Sequence, residues 1–451
     1  MNIMMRTKEI AGEWNKMAIN PIDKNAGWLE MVNKRGLFLT NIISKCVEKI
    51  LFTRRENTLK EMLSPFQNGG LTLRAIQDNL FILNHTINVY RKKGKNLYIL
   101  FSDVEKCFDN LWLRDCIIEL VRCGTPIEEA MYIFKMNSNV EATIRTPVGE
   151  AEEIKLTEIV RQGTVGGNKL CIVSTDRINR MGSYLEEEGI RYLIFVDDKL
   201  GAGSVETRNE RKMKTLETTK KYTYNTKKGK TEWMMIKNNK RKEEPEPELE
   251  VNSGKIGRTK EYKYVGDKYD EKGTNESKIK HKDSKVNLMI NDIKTESTEK
   301  KLGKAALKTR IMLIETIITP TILSSTETWN NITQDEQNMI KNIHKNILTK
   351  TLNLPITTPY MGIISELNII PYVEMIWYKK FMWFHRLINS DAKRMARIKL
   401  VEQMEENDDN WYTELRCYAE RNGITFDETS IRSTTYPQYK EHMYRSEFDR
   451  K

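Results

Sequence analysis

A mixed α+β fold is predicted by three observations. Two short apolar runs, residues 96–102 (NLYILFS) and 191–196 (RYLIFV), have the length and composition of buried strands. Around and after them lie stretches with apolar residues at helical spacing, above all the lysine-rich stretch 274–352. The chain has 451 residues, too many for one hydrophobic core, so several packed subdomains are expected.

Taken in order, residues 1–34 read as helix then loop, with Pro21 and Gly27 as breakers. Residues 37–52 read as an amphipathic helix whose apolar face is Leu39, Ile42, Ile43, Cys46, Ile50 and Leu51. Gln67, Asn68, Gly69 and Gly70 mark a loop, and Thr72 stands where it could cap a helix running to about residue 91. A basic turn at 92–95 leads into the strand at 96–102. Helices are expected over 110–123 and 126–136, then a hairpin pairing 140–146 with 152–156. Residues 170–188 read as helix. A second hairpin follows, 191–196 with 199–202, carrying Asp197 and Asp198 at its tip. A helix is expected over 206–222, and 231–236 and 261–265 are strand-like. The stretch 237–250 (KNNKRKEEPEPELE) reads as a charged linker. Beyond residue 274 the chain reads as helical, with Trp377, Trp383 and Trp411 in its last hundred residues.

Composition narrows the function. Hydrophobic residues make up 39% and charged residues 30%, and no apolar run approaches the ~20 residues of a spanning helix. The first ten residues, MNIMMRTKEI, lack the apolar core of a signal peptide. The six cysteines show no CxxC spacing and the five histidines no HExxH, which argues against a zinc knuckle or a histidine metal site. The net charge is +11, and it is uneven: residues 207–310 hold 29 basic and 17 acidic side chains, the rest 45 and 46. Such a patch suits a polyanion, since Lys and Arg displace counterions condensed on phosphates; a solvated lysine-rich surface has the same composition.

Two acidic elements each end a predicted strand: Asp103 within FSDVEKCFDN (101–110), and Asp197-Asp198 within FVDD (195–198). Carboxylates at the ends of neighbouring strands can hold two hard cations ~3.5–4 Å apart, the arrangement for in-line phosphoryl transfer. An Asp-Asp pair alone is more often a solvated turn; here order and context give it weight. Between the two elements lies RQGTVGG (161–167), a glycine-rich turn opening a predicted helix.

In this order the segments resemble the palm motifs of reverse transcriptases of the non-LTR retrotransposon type. FSDVEKCFDN resembles the first motif, RQGTVGG the second and FVDD the third. YTYNTKKGKTEWM (222–234), with Lys230-Thr231, resembles the fourth, and KYVG (263–266) the primer grip. RGLFLT (35–40) resembles a fingers motif, PIDK (21–24) weakly the lysine-bearing strand before it, and STETW (325–329) a segment following the thumb. The resemblance implies a right-hand polymerase with fingers, a palm (an antiparallel sheet with helices packed on one face) and a helical thumb. It implies Asp103, Asp197 and Asp198 as metal-binding carboxylates and Lys230 as a catalytic group facing the leaving pyrophosphate. Arg35 and Lys24 would hold the triphosphate, Phe108 would sit under the sugar, and Gln162 and Gly163 would line the template and nucleotide pocket. Tyr264, Val265 and Gly266 would form the primer grip.

The implied function is RNA-directed DNA polymerase, extending a DNA primer 3′-OH on an RNA template with two Mg²⁺ ions (Mn²⁺ as a substitute). RNA template, DNA primer and dNTPs are the implied partners, with a separate endonuclease supplying the nick. Departures from the family pattern are Cys107 for alanine, Gly167-Asn168 for Ser-Pro, and Val196 for Ala or Met. The expected organisation is fingers and palm over 1–266, a basic helical thumb over 267–352, and a helical region of unassigned role over 353–451. No endonuclease, RNase H or CCHC segment is legible, so the chain reads as the polymerase portion of an element or a shortened copy. An inactive or domesticated RNA-binding derivative and an intron-maturase-like splicing cofactor are the alternatives. An intracellular protein acting in the nucleus is expected; KNNKRK (237–242) reads equally as a nuclear signal or a basic loop.

Overall fold

The computed structural model describes residues 10, 12–23, 34–146, 148–183, 191–203, 213, 223–237, 247–298, 307–406 and 408–424. The chain packs as two compact units. The first comprises Met1–Ile76, Tyr98–Trp233 and Glu244–Arg258, the second Gln77–Leu97, Met234–Glu243 and Thr259–Lys451. Each unit gathers separate stretches of the chain.

The first unit is built on two sheets. In one, β1 (Lys16–Asp23) lies between β2 (Lys34–Leu39), antiparallel, and β4 (Ser138–Thr146), parallel; β5 (Gly149–Glu150) and β6 (Ile154–Glu158) both pair with β4. The other has the order β10-β11-β9-β3-β8-β7. Its members are β3 (Leu97–Ser102), β7 (Arg191–Phe195), β8 (Asp198–Gly203), β9 (Glu232–Ile236), β10 (Leu249–Val251) and β11 (Gly254–Arg258). All six residues of β3 are buried, as an apolar run without alternation requires of a strand covered on both faces. Helices α1 (Ile42–Met62), α3 (Leu113–Arg122), α4 (Ile127–Met136) and α5 (Val165–Ser183) complete this unit.

The second unit holds α2 (Ile76–Lys92), the hairpin β12 (Glu261–Tyr264) and β13 (Asp267–Asp270), and a helical array. The array runs through α6 (Glu276–Thr298), α7 (Leu307–Leu313), a π turn (Ile314–Ile318) and α8 (Thr319–Ile322). It continues with α9 (Gln334–Leu352), α10 (Tyr360–Leu367), α11 (Tyr372–Ile388), α12 (Met395–Glu405) and α13 (Trp411–Arg421). One core joins Ile279 and Val286 of α6 to Ile340 and Ile347 of α9, Ile363 of α10 and Ile376 of α11. The stretches on either side of residue 352 therefore share a core.

Several sequence expectations are corrected. Residues 16–23 form β1, where helix and loop were expected; its backbone is satisfied by β2 and β4. Residues 34–39 are strand, so the helix expected from residue 37 starts at Ile42, where Asn41 Oδ1 accepts the Ile43 N–H at 2.8 Å. That helix buries Val47, Leu51, Phe52 and Leu59 with Glu48 and Glu56, leaving Ile42, Ile43 and Ile50 exposed. The two buried acids displace the face that apolar spacing alone indicates. Thr72 caps nothing: its N–H and hydroxyl both donate to Glu56 Oε1, at 2.7 and 2.9 Å, and α2 begins at Ile76. The stretch read as a linker runs into the hairpin β10–β11. Most of the helix expected over 206–222 lies outside the described residues.

His344 in α9 is fully buried and stacked on Tyr372, ring centroids 3.6 Å apart. The Tyr372 N–H donates to its Nδ1 at 3.3 Å, so that nitrogen carries no proton. Burial pushes the imidazole down to about 3 from 6.5. The unfolded chain therefore binds one more proton than the folded one between these values. Stability falls as pH drops through that window, by up to about 1.4 kcal/mol per pH unit. The thermal midpoint of the protein should fall more steeply between pH 7 and pH 4.5 than that of His344→Gln; parallel slopes would refute this account.

Candidate active site

Asp103 leaves the end of β3, and Asp197 and Asp198 lie in and just after the two-residue turn joining β7 to β8. The pairing Ser102↔Lys199 on antiparallel β3 and β8 sets Asp103 beside Asp198, the first residue of β8. The acids feel one another. Asp198 is lifted to about 6, first by shielding from water, then by Asp197 and Asp103, while Lys230 and Arg35 pull it down. Asp197 is raised by shielding; its own backbone N–H opposes the rise, Asp103 adds to it, and Lys199 and Arg35 reduce it.

The backbone of Asp103 is fixed from the side. Its N–H donates to the buried Thr231 Oγ1 at 3.2 Å, and that hydroxyl donates back to the Asp103 carbonyl at 3.3 Å. The Asn225 N–H donates to the same carbonyl at 3.0 Å, and Glu105 N–H to the Thr223 carbonyl at 2.8 Å. Lys230, next to Thr231, places Nζ 3.6 Å from Asp103 Oδ2. Phe108 is half-buried in the turn after Asp103.

The glycine-rich turn is anchored from below. Arg161 is fully buried; it is paired with Glu48 of α1 through Nη2, and its Nε donates to Asn137 Oδ1 at 2.7 Å. Glu48 Oε2 also accepts the Gly166 N–H at 3.2 Å, in the first turn of α5. Burial pushes the Arg161 guanidinium down, and Glu48 opposes the shift. At Gly167 a Cβ would stand 1.9 Å from the Arg161 carbonyl oxygen, so no other residue fits there. Above this base the Gln162 carbonyl accepts the Phe38 N–H of β2 at 3.1 Å, and Gly163 lies against Leu37. Arg35, exposed on β2, acts on both Asp197 and Asp198 by charge. Asp103, Asp197, Asp198, Lys230 and Arg35 thus form one electrostatic set, and β2 ties Arg35 to Gln162 and Gly163. Lys24 lies outside the described residues.

The remaining expected residues sit in the second unit. Tyr264 ends β12, and Val265 and Gly266 make the turn into β13, with φ of 38° and 104°. The Tyr264 hydroxyl accepts from Asn79 Nδ2 at 2.9 Å. Asp267, first in β13, is buried and accepts from Lys282 Nζ at 3.2 Å, Ser325 Oγ at 3.0 Å and Trp329 Nε1 at 3.1 Å. The STETW segment therefore locks this hairpin. Sequence reasoning assigned no role to Glu48, Thr231 or Asp267. Only the adjacency of Thr231 to Lys230, and of Asp267 to KYVG, could have signalled two of them.

Among the described residues no three His, Cys, Asp or Glu side chains form a finished metal cage. Carboxylate oxygens are the donor type a hard divalent cation takes, and Asp197 and Asp198 each feel Asp103 and the opposing charge of Arg35.

A sequence model described as reverse transcriptase (RNA-dependent DNA polymerase) matches residues 22–269. The retrovirus-related Pol polyprotein from type-1 retrotransposable element R2 of Nasonia vitripennis is 26% identical over 182 residues, covering 39% of this chain. The chain spans 18% of that polyprotein's length. Apo telomerase from Candida tropicalis overlays 97% of this chain and 70% of its own, with TM-score 0.47 and 11% identity. Telomerase from Candida albicans in complex with a TWJ fragment of telomeric RNA overlays 83% and 64%, with TM-score 0.41 and 11% identity.

Removing one partner of a buried ion pair strands the other. Glu48→Ala should cost about 3–5 kcal/mol in chemical denaturation, and the double variant Glu48→Leu/Arg161→Met should recover most of it. A single variant no worse than the double would show that the pair does not anchor the turn.

Proposed function

Since the chain belongs to the reverse transcriptase (RNA-dependent DNA polymerase) family, we propose that it extends a DNA primer 3′-OH along an RNA template with dNTPs. The observation that carries this reading is the set of Asp103, Asp197 and Asp198 at the end of the central sheet, with Lys230 at 3.6 Å from Asp103 and Arg35 acting on the turn. Asp103 and Asp197, supported by Asp198, would hold two divalent cations, Mg²⁺ by preference. Bound there, such ions activate a hydroxyl nucleophile and neutralise the leaving pyrophosphate.

The chain's own groups supply the rest. Arg35 would orient the triphosphate, and its charge lowers the repulsion between incoming phosphates and the acids. Lys230, half-exposed beside Asp103, can give a proton or its charge to the leaving group. Phe108 would support the sugar and disfavour a 2′-hydroxyl. The Gln162-Gly163 turn, held to β2, would floor the nucleotide pocket, and the Tyr264-Val265-Gly266 hairpin would seat the primer end. In this reading fingers lie at about 20–95 and 125–160, palm at 96–124 and 161–266, and thumb at 274–352. The basic excess of residues 207–310 supplies phosphate contacts that carry affinity without sequence choice. A separate endonuclease would supply the nick.

Primer extension on poly(rA)/oligo(dT) with Mg²⁺ tests this. The purified chain should incorporate dTTP. Asp103→Asn or Asp197→Asn should lower turnover on the order of 10³-fold or more, and Lys230→Ala about 10²-fold. Incorporation that survives Asp197→Asn, or nucleic-acid binding without incorporation in Mg²⁺ or Mn²⁺, would overturn the reading.

A further inference from the structure

We propose that Gln67 is a positioning residue for the acid turn: its side-chain amide clamps the Val196 peptide and so fixes Asp197 and Asp198. The inference rests on the polymerase reading for its catalytic consequence, and on geometry alone for the clamp.

The turn needs holding. It is a two-residue connection closed by the pair Phe195↔Asp198, and its first residue, Val196, has φ +59°. A β-branched side chain in the left-handed region is strained, and such strain persists only where the surroundings impose it. Gln67 supplies that constraint. It is fully buried. Its Oε1 accepts the Val196 N–H at 3.0 Å and the Gly69 N–H at 2.9 Å, and its Nε2 donates to the Val196 carbonyl at 3.4 Å. Two N–H donors on one oxygen fix the orientation of the amide. The contact is also close: a Cβ at Gly69 would stand 2.4 Å from Val196 N and 2.7 Å from its Cγ2.

The clamp is rigidly mounted. Phe66 and Asn68 pair with Ile194 (Ile194 N–H to Phe66 carbonyl, 3.2 Å; Asn68 N–H to Ile194 carbonyl, 2.9 Å), extending the sheet past its edge strand β7. The Ser64 N–H donates to Asp176 Oδ1 of α5 at 2.6 Å. At the other end Thr72 donates to Glu56, which also pairs with Lys169 of α5. Arg74 Nη1 donates to the Gln67 carbonyl at 2.8 Å. A loop tied at both ends to the helices behind the sheet holds the turn far more firmly than a free hairpin tip would.

The test uses the full chain with three variants. Gln67→Met keeps the volume and removes both polar contacts. Turnover on poly(rA)/oligo(dT) should fall at least tenfold, with KM for dTTP within about threefold and template–primer affinity unchanged. Gly69→Ala should give a similar loss of turnover. Adding Val196→Gly to Gln67→Met should restore turnover several-fold, because glycine adopts the left-handed conformation unaided. Hydrogen exchange over residues 194–199 should speed up tenfold or more in Gln67→Met at an unchanged melting temperature. Wild-type turnover in Gln67→Met, no restoration by Val196→Gly, or unchanged exchange would overturn the proposal. An unmodified chain that incorporates nothing would sink the polymerase reading alone, and the exchange measurement would still decide the clamp.

Discussion

Like charges do not gather unaided, and in the first unit Asp103, Asp197 and Asp198 lie within electrostatic reach of one another. Asp103 and Asp198 meet because β3 and β8 run antiparallel in a register set by buried apolar residues. Their repulsion is opposed at the rim by Lys230 and Arg35, and it shows as the lifted carboxyls of Asp197 and Asp198. Nearly all the groups that fix the acids do so through backbone: Thr231 and Asn225 hold the Asp103 peptide, and Gln67 the Val196 peptide.

The loops around the acids are tied by buried charge. Glu48–Arg161 and Glu56–Lys169 each join α1 to the segment at or within the start of α5, and each carboxylate also takes a backbone N–H, Glu48 from Gly166 in the first turn of α5 and Glu56 from Thr72 in a loop. A buried pair of this kind contributes little net stability over an apolar substitute, since desolvation offsets most of the Coulomb gain. What it gives is one geometry, because a shifted loop would leave a charge unpaired. Asp267 does the same in the second unit, where Lys282, Ser325 and Trp329 converge on it beside the β12–β13 turn.

The strands that carry the acids were legible because β3 and β7 are short apolar runs, and the acids drew notice only through the order of the motifs around them. The strand KMAINPID was not legible: it contains proline and alternates poorly. It is stable because β4 pairs with it over Lys16–Ile19 and β2 over Ala18–Asp23, and Pro21 falls beyond the pairing with β4. Helix α1 misled because two glutamates occupy its buried face. Helix α2 was legible to its end near residue 91, but not the burial of its polar residues Asp78, Asn79, Asn84, His85 and Asn88. Its polar groups find distant partners such as Arg394 for Asp78. Gln67, Glu48 and Thr231 were silent for the same reason: each acts through a partner far away in the chain, and spacing carries no record of such a pair.

Beneath the acids lies one more charge. Strand alternation puts Lys199 on the opposite face of β8 from Asp198, so the lysine enters the interior while the aspartate faces out. There it is pushed down by burial and held up in part by the nearby Cys107 and Cys171, whose sulfurs are 3.9 Å apart, and then by Asp197. A cation under the sheet favours the ionised form of Asp197 from behind. The same residue forces order on the turn. A one-residue slip of β8 would bring Asp198 inward beside two thiols and put Lys199 outside, exchanging a partly compensated charge for an uncompensated one. The register that sets Asp103 beside Asp198 thus also keeps Lys199 rather than Asp198 inside, and the clamp at Val196 acts on the peptide next to the acids.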